Sequence, residues 1–172
     1  MKKIAIISDT HSFLDPKIIK WITDCDEIWH AGDFGYSDSI KKFIQNYKVR
    51  GVYGNIDGQK IRQLYPKIAK FQCEKIKVLI THIGGYPKKY SAEIEKEIRK
   101  YKPDLYICGH SHILKVMYDK VNDLLHINPG AAGKEGFHKI RTIVLLKIDD
   151  KNISDLKVVE LGIRSKLSNP VN

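Results

Sequence analysis

The stretch Lys3-Ile4-Ala5-Ile6-Ile7-Ser8-Asp9-Thr10-His11 decides the architecture. Four apolar residues follow one another without polar alternation, and three of them are β-branched isoleucines. A strand that faces water on one side alternates with period two; a strand covered on both sides does not. Residues 3–7 therefore read as a buried strand, and it runs out onto a carboxylate and an imidazole two residues apart.

The next segments have the spacing of α/β units. Asp15-Pro16 supplies a helix N-cap followed by proline at the first helical position. Ile18, Trp21, Ile22 and Cys25 then recur at i, i+3, i+4 and i+7. Glu27–His30 is a second short strand, residues 37–47 a second helix with Ile40, Phe43, Ile44 and Tyr47 on one face, and residues 49–53 a third strand. Such a βαβαβ start predicts a parallel sheet with crossover helices. In the second half, residues 68–73 and 76–80 flank Glu74-Lys75 as a hairpin, and a helix over 91–101 stops before Pro103. Strand-like runs follow at 105–108, 116–118, 124–127, 142–148 and 156–161. The expected fold is α/β, a four-layer αββα sandwich of two mixed β-sheets flanked by helices. It forms one domain over residues 1–163, with a polar tail at 164–172.

The totals agree with one soluble domain. The chain has 172 residues, 42% hydrophobic and 29% charged. Its first apolar run stops after four residues, whereas a secretory h-region needs about 7–15 and a membrane span about 20. Cys25, Cys73 and Cys108 are scattered in apolar context without a CxxC pair. Together these predict reduced thiols and a cytoplasmic location without membrane attachment. Thirty Lys and Arg against 20 Asp and Glu give a net charge of +10, which favours anionic partners. The lysines are spread out, so charge alone does not argue for a nucleic-acid platform.

Five predicted strands deliver Asp, Asn or His just past their carboxyl ends: Asp9 and His11, Asp33, Asn55, His82, and His110 and His112. In α/β sheets ligands bind beyond those ends. Asp9 and His11 are expected to point the same way in extended chain, and so are His110 and His112. Seven groups oversupply one four-coordinate ion. Two ions sharing a carboxylate would use them all. The N/O donors without thiolate suit Mn²⁺, Fe²⁺, Ni²⁺ or Zn²⁺, and argue against Ca²⁺.

Asp9-x-His11, Gly32-Asp33, Gly54-Asn55-x-Asp57, Thr81-His82 and Gly109-His110-x-His112 together resemble the calcineurin-like metallophosphoesterase superfamily. Length and motif order are nearest to its small single-domain bacterial and archaeal phosphodiesterases, and Ile127-Asn128-Pro129-Gly130-Ala131 is similar to a segment of that branch. The resemblance implies the αββα sandwich. It also implies two divalent metal ions, with Mn²⁺ the first expectation. Asp9, His11 and His112 would hold one ion; Asn55, His82 and His110 would hold the other; Asp33 would bridge them. The implied reaction is hydrolysis of a phosphodiester by hydroxide held between the metals, with Asn55 and His82 bordering the phosphoryl oxygens. Many relatives carry histidine after the Gly-Asn, where this chain has Ile56, which donates no proton. Asp57 closes the motif and enters as a candidate catalytic residue; beside Gly58 it also reads as a turn-stabilising Asp.

The resemblance also admits a protein-interaction scaffold, as in the retromer subunit of the same fold. A nucleotide or nucleic-acid ligand and a homodimer are compatible with the charge and the family. His30 reads equally as a partner that orients a ligand and as a satisfied core histidine. His126 reads as a strand residue and His138 as a surface loop residue. Lys134, Lys139 and Arg141 form a modest basic cluster, and Thr10, Thr81 and Ser111 are candidate hydrogen-bond donors.

Overall fold

The computed structural model describes residues 1–164, so most of the expected tail lies outside the described residues. Arg164 itself is still tied down, since its N–H donates to the Lys139 carbonyl at 2.9 Å. The first elements in chain order are β1 (Lys2–Ile7), α1 (Pro16–Ile22), β2 (Glu27–His30), α2 (Asp38–Asn46), β3 (Val49–Gly51), α3 (Gln59–Leu64) and β4 (Ile68–Cys73). They are followed by β5 (Ile76–Thr81), α4 (Ala92–Tyr101), β6 (Leu105–Ile107), β7 (Lys115–Asp119), β8 (Leu124–Asn128), β9 (Ile140–Asp149) and β10 (Asn152–Ile163).

Two five-stranded sheets result, ordered β10-β9-β1-β2-β3 and β4-β5-β6-β8-β7. In the first, β1, β2 and β3 run parallel, and β9 and β10 close the far side antiparallel. In the second, β5, β6 and β8 run parallel, with antiparallel β4 and β7 at the edges. The unbroken apolar run of β1 has its cause here. Ile4 and Ile6 face the other sheet, among Trp29, Val78, Ile80, Leu105 and Ile107. Ala5 and Ile7 face outward under Ile18 and Ile22 of α1 and Ile40 and Phe43 of α2. On the opposite face of the sandwich, Ile94 and Ile98 of α4 cover Leu79 and Tyr106. These are the four layers.

The helix starts follow the capping rules. Asp15 accepts from Lys17 N, Ser37 from Ile40 N and Ser91 from Ile94 N. Helix α3 was not expected from sequence. Its cap is Gly58, without a side-chain hydrogen bond, and Ile61 is its one buried residue, so neither signal was present. Strand β10 is longer than expected. Its first half is polar, and it is held by the β9 hairpin across two register irregularities rather than by burial. Strand β3 is shorter than expected, ending at Gly51. All three cysteines are free, and burial pushes the Cys108 thiol up to about 12.

Glu27 begins β2 inside the sheet, yet is only 5% exposed. It accepts from Arg50 Nε at 2.7 Å and Trp29 Nε1 at 3.1 Å, and Lys48 Nζ lies at 2.6 Å. Burial raises its pKa, but these three donors outweigh burial and hold it at about 2. Stability from this group is present above its unfolded pKa and is lost as pH falls through the folded one. Glu27→Gln is expected to cost about 1–3 kcal/mol at pH 7 by urea unfolding. The difference from wild type should shrink as pH falls below about 4.5 towards 2.

Candidate metal centre

Strands β1, β2, β3, β5 and β6 all end at the same rim of the sandwich, and each continues into a loop that carries candidate ligands. Asp9, His11 and His112 form one cluster with ligand atoms within 4.8 Å of one another; Asp33, His82 and His110 form a second. Asp33 joins them. Its Oδ2 lies 3.5 Å from His11 Nε2 and its Oδ1 lies 3.2 Å from His82 Nε2. Asn55 Oδ1 stands 3.0 Å from His82 Nε2, on the second cluster. The rim thus brings all seven groups together.

The extended-chain argument for the DxH and HxH pairs does not hold. Asp9, His11, Asp33, His110 and His112 all have positive φ, between 46° and 67°. The loops are tight left-handed turns, and His110 and His112 diverge into different clusters. An L-residue in this region costs ~1–2 kcal/mol, so five of the seven candidates store backbone strain.

Hydrogen bonds around the loops hold that geometry. Asp57 is 2% exposed and accepts from Phe34 N at 3.2 Å, Gly35 N at 2.8 Å and Gly54 N at 2.8 Å. Both its oxygens are committed to knitting the Asp33 loop to the Asn55 loop. Gly54 packs so tightly here that a Cβ would collide with Asp33 Oδ1. Asn128, at the end of β8, donates to Gly109 O at 2.9 Å and Ser111 Oγ at 3.0 Å, bracing the HxH turn. Sequence reasoning missed this role, although the Asn-Pro-Gly stretch marked the place.

His30 resolves as a core histidine. It is fully buried and stacks on Phe34 with centroids 3.6 Å apart. Gly32 N–H donates to its Nδ1, so the Nε2 proton goes to Thr10 Oγ1 at 3.0 Å, and Thr10 in turn donates to Phe34 O at 2.9 Å. Burial takes its pKa to about 3, which keeps it neutral. Thr81 is paired with the Tyr106 hydroxyl. His126 is buried beside Tyr106. Two members of the expected basic cluster, Lys134 and Arg141, meet over the Phe13 ring, and Arg141 is buried in an ion pair with Asp15. His138, expected at the surface, is half-buried with its Nδ1 3.2 Å from His112 Nδ1. Burial lowers its pKa.

The residues fit divalent cations. Asp9 Oδ1 and His11 Nε2 are buried without a hydrogen-bond partner, and both face the first cluster. Such atoms are costly unless something binds them. His82 Nδ1 lies 2.8 Å from Ala31 O, which fixes a proton there and aims Nε2 into the second cluster, 3.2 Å from Asp33 Oδ1. Burial raises the Asp33 pKa, but the His82 hydrogen bond and charge and the Ile56 N–H outweigh it and keep the carboxylate ionised. Two clefts of about 410 and 400 Å³ open beside the centre, on either side of Ile83.

The strain is measurable. His110 is exposed, and its φ is 67°. His110→Gly and His110→Ala remove the same imidazole, but only glycine relaxes the turn. Urea unfolding of the two metal-free variants should find the glycine form more stable by ~0.5–1 kcal/mol. Equal stabilities would show that the turn carries no such strain.

A calcineurin-like phosphoesterase superfamily domain matches residues 1–151. A probable metallophosphoesterase of Methanothermobacter thermautotrophicus is 24% identical over 164 residues, 92% of each chain. Among solved structures, an archaeal phosphodiesterase superposes with a TM-score of 0.73 at 26% identity, covering 92% of this chain and 99% of the other. A Vps29 of Entamoeba histolytica reaches 0.71 at 17% identity, covering 93% and 99%, and so shares the fold. With a domain match over most of its length, and a rim that gathers the Asp, Asn and His groups of every motif, the chain belongs to the calcineurin-like phosphoesterase superfamily.

Proposed function

We propose that the chain is a phosphodiesterase that works with two divalent cations, Mn²⁺ first among them. Asp9, His11 and His112 hold one ion, Asn55, His82 and His110 the other, and Asp33 is shared. The observation that carries this reading is the Asp33 carboxylate, whose two oxygens face different histidine clusters. A cation pair supplies Lewis-acid charge and lowers the pKa of water from 15.7 to about 7. The protein's own part is placement. Asn55 turns its Oδ1 towards His82, which leaves the amide NH₂ as a donor for a phosphoryl oxygen.

Ile56 shapes the choice of substrate. Its N–H donates to Asp33 Oδ1 at 3.1 Å, and its side chain, 46% exposed, offers no proton to a leaving group. Esters with acidic leaving groups need that proton least, so activated diesters are favoured over monoesters. The clefts on both sides of Ile83 leave room for both substituents of a diester. Asp57, with its oxygens committed to backbone N–H groups, acts by holding loops rather than by proton transfer. No described helix is long and apolar enough to cross a membrane. A cytoplasmic location and a homodimer belong to the same proposal.

A scaffold role is the second reading, favoured by the likeness in fold to Vps29. Metal analysis and turnover of a bis-aryl phosphate with Mn²⁺ separate the two. The enzyme should bind two equivalents and turn over, and Asp33→Asn should lose both while keeping its far-UV dichroism. A folded wild type that binds no metal and does not turn over would support the scaffold. Ile56→His should raise monoesterase relative to diesterase activity by ~10–100-fold; an unchanged ratio would overturn the role given to this position. Binding of a nucleic acid, if the net charge of +10 serves one, should fall steeply with salt.

A further inference from the structure

The two cation clusters differ in what supports their histidines. In the second, His82 Nδ1 rests on a backbone carbonyl, Ala31 O. In the first, His112 Nδ1 rests on another imidazole, His138 Nδ1, at 3.2 Å, with ring centroids 5.1 Å apart and planes at 72°. His138 Nε2 lies 3.1 Å from Gly133 O, and Gly133 N donates to Asp9 O at 2.9 Å, so the base of this loop is anchored to the first ligand strand. Further along, Gly136 has φ 111° and lies so close to His112 that a Cβ would collide with its Nδ1.

A count of protons fixes the tautomers. A carbonyl only accepts, so His138 Nε2 carries the hydrogen that meets Gly133 O. A neutral imidazole protonated at Nε2 offers a lone pair at Nδ1. The atom facing that lone pair, His112 Nδ1, must then be the donor. His112 Nε2 is left unprotonated, and it lies 3.1 Å from Asp9 Oδ1, a spacing at which both atoms can share one cation. A doubly protonated His138 would instead turn an Nδ1–H towards His112 Nδ1, leaving that atom to accept, and would add positive charge beside the cluster.

We propose that His138 is a positioning residue: through Gly133 O it fixes His112 in the Nδ1–H tautomer and so selectively supports the cation site of Asp9, His11 and His112. Its consequence for metal binding rests on the two-cation reading; the tautomer assignment does not. The site of Asn55, His82 and His110 makes no use of this loop, so the two sites depend on His138 unequally.

Two measurements test the proposal. Long-range ¹⁵N–¹H NMR of the metal-free wild type should show His112 protonated at Nδ1. In His138→Leu, His112 should move towards Nε2–H. Mn²⁺ titration by calorimetry should show one of two binding events weakened by ~10–100-fold in His138→Leu and the other unchanged. His138→Gln keeps an acceptor and a donor, and should restore both the tautomer and the affinity. The proposal is overturned by an Nε2–H wild-type His112, by equal losses in the Leu and Gln variants, or by a uniform fall at both sites. A wild type that binds no Mn²⁺ would defeat the two-cation reading instead, and the NMR arm would still decide the role of His138.

Discussion

The centre depends on backbone turns that its own side chains disfavour. Asp9, His11, Asp33, His110 and His112 keep positive φ only because neighbours hold the turns closed. Asp57 gathers N–H groups from two loops, Asn128 braces a third, and the His30–Thr10–Phe34 chain locks the Asp33 loop from beneath. A left-handed turn lets a strand end stop short and aim its side chain across the rim. Extended continuations would have carried the same residues past one another. The apolar packing of the sandwich aligns the strand ends to within a few ångströms, and these hydrogen bonds do the rest.

Most of this was legible in the chain for stated reasons. The unalternating Ile4–Ile7 run announced a strand covered on both faces, and Ile4 and Ile6 do meet the second sheet while Ala5 and Ile7 meet helices. The residues that gather at the rim were legible because Asp, Asn and His recur after apolar runs. The side-chain directions were not, because periodicity describes strands and these residues have left the strand. His138 was illegible for a related reason. A histidine between phenylalanine and lysine in a loop gives no sign of depth, and its depth comes from Gly133 and Gly136 folding the loop against His112. Arg141 misled because a basic side chain near other basic residues looks like surface, whereas Asp15, 126 positions earlier, draws it inside.

Electrostatics divides between the rim and the remainder. Thirty basic residues against 20 acidic ones set a positive background, yet the centre is built on two buried carboxylates, Asp9 and Asp33. Of the cations lining the two clefts, Arg62 donates to Asp57 O and lies over Tyr53, Lys67 pairs with Glu93, and Lys115 lies over the Tyr86 ring. The positive background is spread over the whole surface, so its pull on an anion acts at long range.

The pairing of β1 with β9 joins Ile4 to Leu146 and Ile6 to Val144. During synthesis the first strand leaves the ribosome long before that partner exists. At ~5–20 residues per second the wait is on the order of ten seconds. Through that interval one edge of β1 is bare, and its isoleucines lack part of their cover. The nascent chain therefore spends its growth as an unfinished sheet with an adhesive border, in reach of chaperones, and that sheet is completed only once β9 has emerged.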